Sequence, residues 1–482
     1  MSVQTTRGFD RSPLGPNGDA GERRLASRWA VFAVTAILGC AFCSHALAAS
    51  TRETITLDAA IALALRFHPS SEQARANVDA AAARVVENRS PYLPQIVATA
   101  QYQRLTYNQT GRPGTFVPSA ATTTTTSTAT PSTAATSAFA ATSWTRTSDF
   151  FTFAGTASQL IYDFGQTSER WRSAEASESA AGQSARAVQV QIIANVRRAY
   201  FQARAQRDLI DVASEAVSNQ KMHVDQIEKL VLQGMRPQID QVTAETGLAN
   251  AQVQLISAQN AYDLACATFS QTIGQTTARS YEPGTDDMQP LVEEDAPIDG
   301  LLEIALRDRP ELASFARQRE AQDRIVAATR GGYGPTLQAQ ASLTGTGVAA
   351  DNLYPNWWVG ALLTWPIFQG GLTHGQVAEA QANLHGLQAQ EDTFRLQVRI
   401  DVEQAALAVR AARATLAASA LARENANKQL QLAEGRYAAG MGSVIELSDA
   451  QVTRTTAAAQ EVSARFTLAS SRATLWGALG RR

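Results

Sequence analysis

Cysteine, histidine and proline are all scarce in this chain of 482 residues, with three, five and 16 of each. The five histidines show no metal-ligand spacing, so no metal site is expected. No Gly-x-Ser-x-Gly elbow, Cys-His-Asp grouping or Walker-type loop occurs, which removes the usual routes to nucleophilic catalysis and nucleotide hydrolysis. "GTGVAA" at 345–350 fits a loose dinucleotide fingerprint, but it runs into Asp351, Asn352 and Pro355 instead of a helix. It reads as the loop of a strand hairpin. No cofactor is expected, and the chain is not expected to be an enzyme. An excess of one charge is also missing: the net charge is −2, which gives no basis for a nucleic-acid partner. Mean hydropathy is slightly negative, which excludes a multi-helix membrane protein.

Long apolar runs are confined to the start. Arg23, Arg24 and Arg28 precede an apolar run at 29–42, too short for a comfortable transmembrane helix. Ala46-Leu47-Ala48 supplies a small-x-small cleavage site, so residues 1–48 read as a signal peptide with an extended leader. A second reading stands beside it: Ile37-Leu38-Gly39-Cys40 resembles a lipoprotein box, with Cys40 the acylated residue. Either way the chain is exported. Cleavage after Ala48 would leave Cys266 as the last cysteine, and one thiol cannot form an internal disulfide. No later apolar stretch is expected to span a bilayer as a helix.

What is present is a phrase written twice. "QLIYDFGQT" at 159–167 recurs as "WPIFQGGLT" at 365–373. "LRFHP" at 65–69 recurs as "LRDRP" at 306–310, and Tyr92-Leu93-Pro94 as Tyr333-Gly334-Pro335, both at an offset of 241. Beyond the strands the offset becomes 206: Phe164-Gly165 maps to Gly370-Gly371, Gly234-Met235 to Gly440-Met441, and Gly274 to Gly480. The difference of 35 residues falls around the Thr/Ala-rich segment 118–145, read as a surface-loop insertion. Constant spacing on both sides of one insertion indicates an internal duplication.

The first repeat is placed at 49–274, with helices within 57–89, strands at about 95–107 and 150–162, and a helical hairpin at 166–274 reversing at 234–240. A linker follows at 275–300. The second repeat is placed at 301–482, with helices within 301–330, strands at about 336–347 and 356–367, and a hairpin at 372–480 reversing at 440–446. The long segments carry apolar residues at three- and four-residue spacing, for example Val188, Ile192, Val196 and Ala199. No proline interrupts 167–233 or 367–482. At 1.5 Å per residue, roughly 65 residues span roughly 100 Å. The fold class is therefore α+β, mainly α.

The strands have one apolar, aromatic-edged face and one Gln/Ser/Thr face. Leu337, Ala339, Ala341 and Leu343 oppose Gln338, Gln340, Ser342 and Thr344. A soluble sandwich turns such a polar face to water; a transmembrane barrel turns the apolar face to lipid and the polar face to a lumen. Four strands cannot close a barrel, and open edges are not tolerated in lipid. The membrane reading therefore requires oligomerisation, and three chains supply twelve strands.

Taken together, these residues resemble the TolC-like outer-membrane channels of multidrug efflux and type I secretion systems, over about 53–480. The resemblance rests on the repeat, the two strand-to-helix phrases with Gly165, Gly370 and Gly371, and Arg436-Tyr437-Ala-Ala-Gly440 followed by Glu446 and Asp449. It implies a homotrimer whose 12-stranded β-barrel in outer-membrane lipid continues as a long periplasmic α-helical barrel. It further implies a passive duct for small molecules, served by an inner-membrane pump through a periplasmic adaptor. The rivals are protein secretion or, from another class, a soluble periplasmic coiled-coil scaffold. It implies a pore constriction at the hairpin reversals, with Tyr437 matching the latch tyrosine and Glu446, Asp449 and Asp240 the acidic positions. Adaptor docking then falls around Gly234, Arg236, Gly440 and Gly442. One departure stands out: the arginine common two residues after the second turn glycine is Gly442 here, while the first repeat has Arg236.

Overall fold

Proline and glycine mark the ends of the long elements. The computed structural model describes residues 53–108, 145–275, 281–287, 289–290 and 292–481. The expected leader with Cys40, and residues 118–144 of the Thr/Ala-rich segment, lie outside them. The chain divides into two units, of which the first comprises residues 1–53 and 277–280, with only Glu53 described. The second comprises residues 54–276 and 281–482.

In the second unit α1 spans Leu57–Phe67, with the Thr56 hydroxyl accepting from the Ala59 amide at its start. Pro69 opens α2 (Pro69–Arg89), where its missing N–H costs nothing. Then come α3 (Gln166–Leu232), α4 (Gln238–Ile273), α5 (Ile298–Asp308), α6 (Pro310–Gly331), α7 (Leu372–Ala438) and α8 (Val444–Ala478). Helices α3 and α7 have 67 residues each, which corresponds to about 100 Å. Helix α5 starts at Ile298, one turn before the expected Leu301, because Pro297 already supplies an extended residue ahead of it. A short pair, β1 (Glu53–Ile55) with β4 (Tyr281–Pro283), forms a two-stranded sheet that joins the start of the first repeat to the segment read as linker. Strands of three residues are too short to show alternation.

The main sheet runs β2 (Gln95–Asn108), β3 (Thr145–Tyr162), β5 (Thr336–Ala349), β6 (Asn352–Thr364), antiparallel throughout. These strands are 13 to 18 residues long, beyond the ten or so expected. Strand β6 stops at Thr364, short of the expected 367, because Pro366 has no N–H to give a ladder. "GTGVAA" is mostly strand: β5 continues through it to Ala349, with an irregularity in its pairing to β6 after Thr346. Gly347 is required there, since a Cβ would stand 2.1 Å from the Asn352 carbonyl oxygen. Gly347→Ala should therefore break the end of this hairpin and cost about 1–3 kcal/mol or more. Thermal unfolding followed by circular dichroism checks this, and an unchanged melting temperature would rule the crowding out.

Every hairpin helix ends in the same way. Gly234 and Gly440 have φ of 70° and 74°, and Met235 and Met441 donate back to the carbonyls of Leu230 and Arg436 at 2.9 Å. This six-to-one closure satisfies carbonyls that the helix leaves open, and it needs a left-handed residue that glycine supplies without strain.

The core lies between helices in three clusters. One gathers Val196, Tyr200, Phe201, Phe269 and Ile273 from α3 and α4. A second gathers Leu301, Val398, Val402, Val409, Leu475 and Leu479. The third joins the hairpin turns: Ile227, Ala244, Ala433, Tyr437, Leu447 and Ala450. Each fully buried Val, Leu, Ile or Phe contributes about 1.5–3 kcal/mol. Helix α7 also contains an 18-residue stretch of mean hydropathy 1.3, enough by length and composition to cross a membrane, where none was expected after the leader. Of that stretch 28% is buried, and Val398, Val402, Ala405, Ala406 and Val409 of α7 belong to the second core cluster.

Candidate functional site

Two regions carry chemistry: the sheet faces and the paired hairpin turns. The register sorts the sheet into two faces of different character. One face carries Ile96, Ala98 and Ala100 on β2, Phe151, Phe153 and Ala157 on β3, Leu337, Ala339, Ala341 and Leu343 on β5, and Trp357, Val359, Ala361 and Leu363 on β6. The other carries Gln101, Gln103, Thr152, Thr156, Gln338, Gln340, Ser342 and Thr344. Its apolar exceptions include Val97 on β2, Phe150 and Leu160 on β3, and Trp358 and Leu362 on β6. The apolar face is uncovered: Ile96 is 78% exposed, Trp357 73% and Val359 71%. A sandwich would bury such a face under a second layer, and among the described residues no second layer covers it.

The strand-to-helix junctions deliver the long helices. Phe164 and Gly165 have φ of 53° and 85°; Gly370 and Gly371 have 59° and 87°. The backbone thus makes the same left-handed double step twice. At the first junction the Asp163 carboxylate accepts from the Thr167 amide at 2.7 Å, capping α3 where Gly165 has no side chain to do so. At the second, Gln369 stands in that place, and its side-chain oxygen accepts from the Thr373 hydroxyl at 2.7 Å.

At the far end of the long helices the two turns meet. The Arg236 guanidinium lies over the Tyr437 ring, 4.5 Å from its centroid, and within 4.0 Å of Asp240. Residues of both hairpins therefore form one cluster: Tyr437, Arg236 and Asp240. Tyr437 is buried, and among the described residues its hydroxyl has no hydrogen-bond partner. Burial raises the pKa of that hydroxyl, against the pull of Arg236. Glu446 pairs instead with Arg436 at 3.5 Å, and its amide donates to the Ser443 hydroxyl at the start of α8. Asp449 is exposed and makes no ion pair among the described residues. The acids thus separate: Glu446 and Asp449 sit three apart on α8, while Asp240 is engaged on the other hairpin. Gly442 cannot take a side chain easily, since a Cβ would lie 3.0 Å from the Tyr437 amide nitrogen.

Sequence reasoning missed His223. It is buried on α3 with its ring edge-on to Tyr437 at 5.9 Å, and burial lowers its pKa. A lone histidine in a helical pattern gives no signal of such a neighbour. It also missed Glu294, buried and held by Arg413 at 2.6 Å and Arg472 at 2.9 Å.

A long helical hairpin pair joined to an open, apolar-faced sheet is an uncommon combination, and it has relatives. A family model described as "Outer membrane efflux protein" matches residues 60–275 and 301–481. The chain belongs to the outer membrane efflux protein family. It is 27% identical over 212 residues to fusaric acid resistance protein FusA of Burkholderia cepacia, a match covering 42% of this chain and 39% of FusA. It is 23% identical over 440 residues to outer membrane protein TolC of Escherichia coli, covering 86% of this chain and 80% of TolC. Its fold matches the CmeC outer membrane channel of Campylobacter jejuni with a TM-score of 0.71 at 17% identity, covering 88% of this chain and 85% of that one. The family places the chain in the outer membrane, extending into the periplasm, as an efflux channel protein of the TolC kind.

Proposed function

We propose that three copies of this chain form a passive exit duct for small molecules. Each copy supplies four strands of a 12-stranded barrel in outer-membrane lipid and one third of a periplasmic helical barrel. A periplasmic adaptor docks at the hairpin turns around Gly234, Arg236, Gly440 and Gly442, and an inner-membrane pump supplies the energy. The observation that carries this reading is the sheet: among the described residues its apolar face is bare, and its edge strands β2 and β6 have unpaired outer sides. Lipid admits no open edge, so closure by further copies is the physical solution. Small cargo is favoured over protein by the likeness to FusA, a protein named for resistance to fusaric acid. Glu446 and Asp449, repeated by threefold symmetry, would form acidic rings near the mouth that favour cations.

Expression of the full chain tests this reading. It should fractionate with outer membranes, require detergent, and migrate on gels as an oligomer that boiling converts to monomer. Deleting its gene should lower resistance to small toxic compounds, and plasmid-borne protein should restore it. A water-soluble monomer would sink the reading.

A further inference from the structure

The inner seam of this chain is a template for the seam between copies, and the geometry points to a defined residue register and a swapped side-chain lock for that outer seam. This rests on the trimeric reading above and adds which residues meet.

The two halves correspond element by element. Strand β2 begins at Gln95 and β5 at Thr336; they end at Asn108 and Ala349, at the offset of 241 found in the sequence. Helices α3 and α7 run Gln166–Leu232 and Leu372–Ala438, at the offset of 206. Close approaches correspond as well. A Cβ on Gly274 would stand 2.7 Å from the His68 Cα, and a Cβ on Gly480 would stand 2.8 Å from the Arg309 Cα. The halves join most extensively at three places: β3 with β5, α3 with α6, and α3 with α8. At the sheet, the corresponding outer positions are vacant among the described residues: β6 lacks a neighbour where β3 has β5, and β2 lacks the neighbour that β5 has in β3.

Carrying the inner register outward fixes the outer one. Ala157 faces Ala341 inside the chain, and Gly155 faces Leu343. Their counterparts set Leu363 opposite Ala100 of the next copy, and Ala361 opposite Tyr102 of the next copy. Both pairs lie on the apolar face, so the transferred register keeps lipid-facing residues together, which a one-residue slip would not.

The junction adds a lock. Inside the chain the Phe164 ring covers Gly334, and a Cβ at 334 would stand 2.3 Å from that ring. At the outer seam both partners change. Gly370 stands for Phe164 and has open space where a side chain would be, while Leu93 stands for Gly334 and is 56% exposed. Leu93 of the next copy fills over Gly370: the large and small residues have traded sides. Ser90 stands for Gly331, where a Cβ would be 2.8 Å from the Phe164 carbonyl oxygen. The outer joint is accordingly set some tenths of an ångström wider than the inner one. Further along, the Glu215–Arg454 ion pair that ties α3 to α8 becomes Leu421 against Leu248 of the next copy, and Leu421 is 58% exposed.

Two experiments on the full-length protein in outer membranes test this. Leu363→Cys is combined with Ala98→Cys, Ala100→Cys or Tyr102→Cys, oxidised, and run boiled without reductant. Directly opposed antiparallel residues stand at disulfide distance, and positions two residues away do not. The Ala100 pair should give covalent dimer and trimer bands at several times the yield of either slipped pair. Stronger linking at Ala98 or Tyr102, or none in a chain that still runs as an oligomer unboiled, overturns the register while leaving the trimer intact. Absence of any oligomer overturns both. The second experiment swaps the lock. Leu93→Gly and Gly370→Phe should each lower the temperature at which the oligomer dissociates, and the double variant, which copies the inner arrangement, should restore most of it. Simple additivity of the two losses overturns the lock.

Discussion

Changing Glu294 to glutamine should cost the folded chain about 3–5 kcal/mol, the scale for removing one partner of a buried ion pair. Glu294 lies in the segment between the two halves, with its side chain 2% exposed. One carboxylate oxygen accepts from Arg413 of α7 at 2.6 Å and the other from Arg472 of α8 at 2.9 Å. The carboxylate therefore ties the connecting segment to both helices of the second hairpin. Glutamine keeps the shape but leaves the Arg472 guanidinium, 14% exposed, facing a neutral amide, while Arg413, 45% exposed, keeps Asp295. Asp295 is the internal control. It binds the same Arg413 at 2.6 Å, but its side chain is 79% exposed, and Asp295→Asn should cost about 1 kcal/mol or less. Thermal melts of both variants at one protein concentration check this, because oligomer stability depends on concentration. Equal losses from the two variants would show that burial does not set the cost.

Much of the plan was legible because its signals are local. Gly234 and Gly440 mark reversals by a backbone angle that other residues avoid, and Pro69 and Pro310 open helices by lacking an N–H. The constant offsets then ordered the elements without any contact being known. The strand faces were legible for β5, where Leu337 to Leu343 alternates strictly, but weak for β2, whose apolar side became clear only once its register with β3 was fixed. The hairpin-turn cluster was half legible. Tyr437, Asp240 and Arg236 could each be named, but not that Arg236 reaches Tyr437 from the other half of the chain, and His223 comes from a third stretch. Such meetings depend on how helices pack sideways, and nothing in a residue's neighbours along the chain encodes that. The Glu294 cluster was invisible for the same reason.

Replacing Tyr437 by alanine should loosen the meeting point of the two hairpins, whereas replacing it by phenylalanine should not. The ring is the binding element: it packs with Ile227, Leu447 and Ala450, meets His223 edge-on, and lies beneath the Arg236 guanidinium. Truncating an aromatic side chain in such a site costs about 3–5 kcal/mol. The hydroxyl, by contrast, is buried without a hydrogen-bond partner among the described residues, so its loss removes an unpaid desolvation cost and is neutral or slightly stabilising. With the mouth of the proposed duct at these turns, Tyr437→Ala should raise single-channel conductance in planar bilayers and sensitise cells to bulky compounds that the closed duct excludes. Tyr437→Phe should behave as the unaltered protein in both assays. Arg236→Ala should fall between them, since it removes the cation over the ring and the partner of Asp240 but leaves the packing beneath. If phenylalanine opened the channel as far as alanine does, the hydroxyl would be the latch and ring packing would not be what holds the mouth closed.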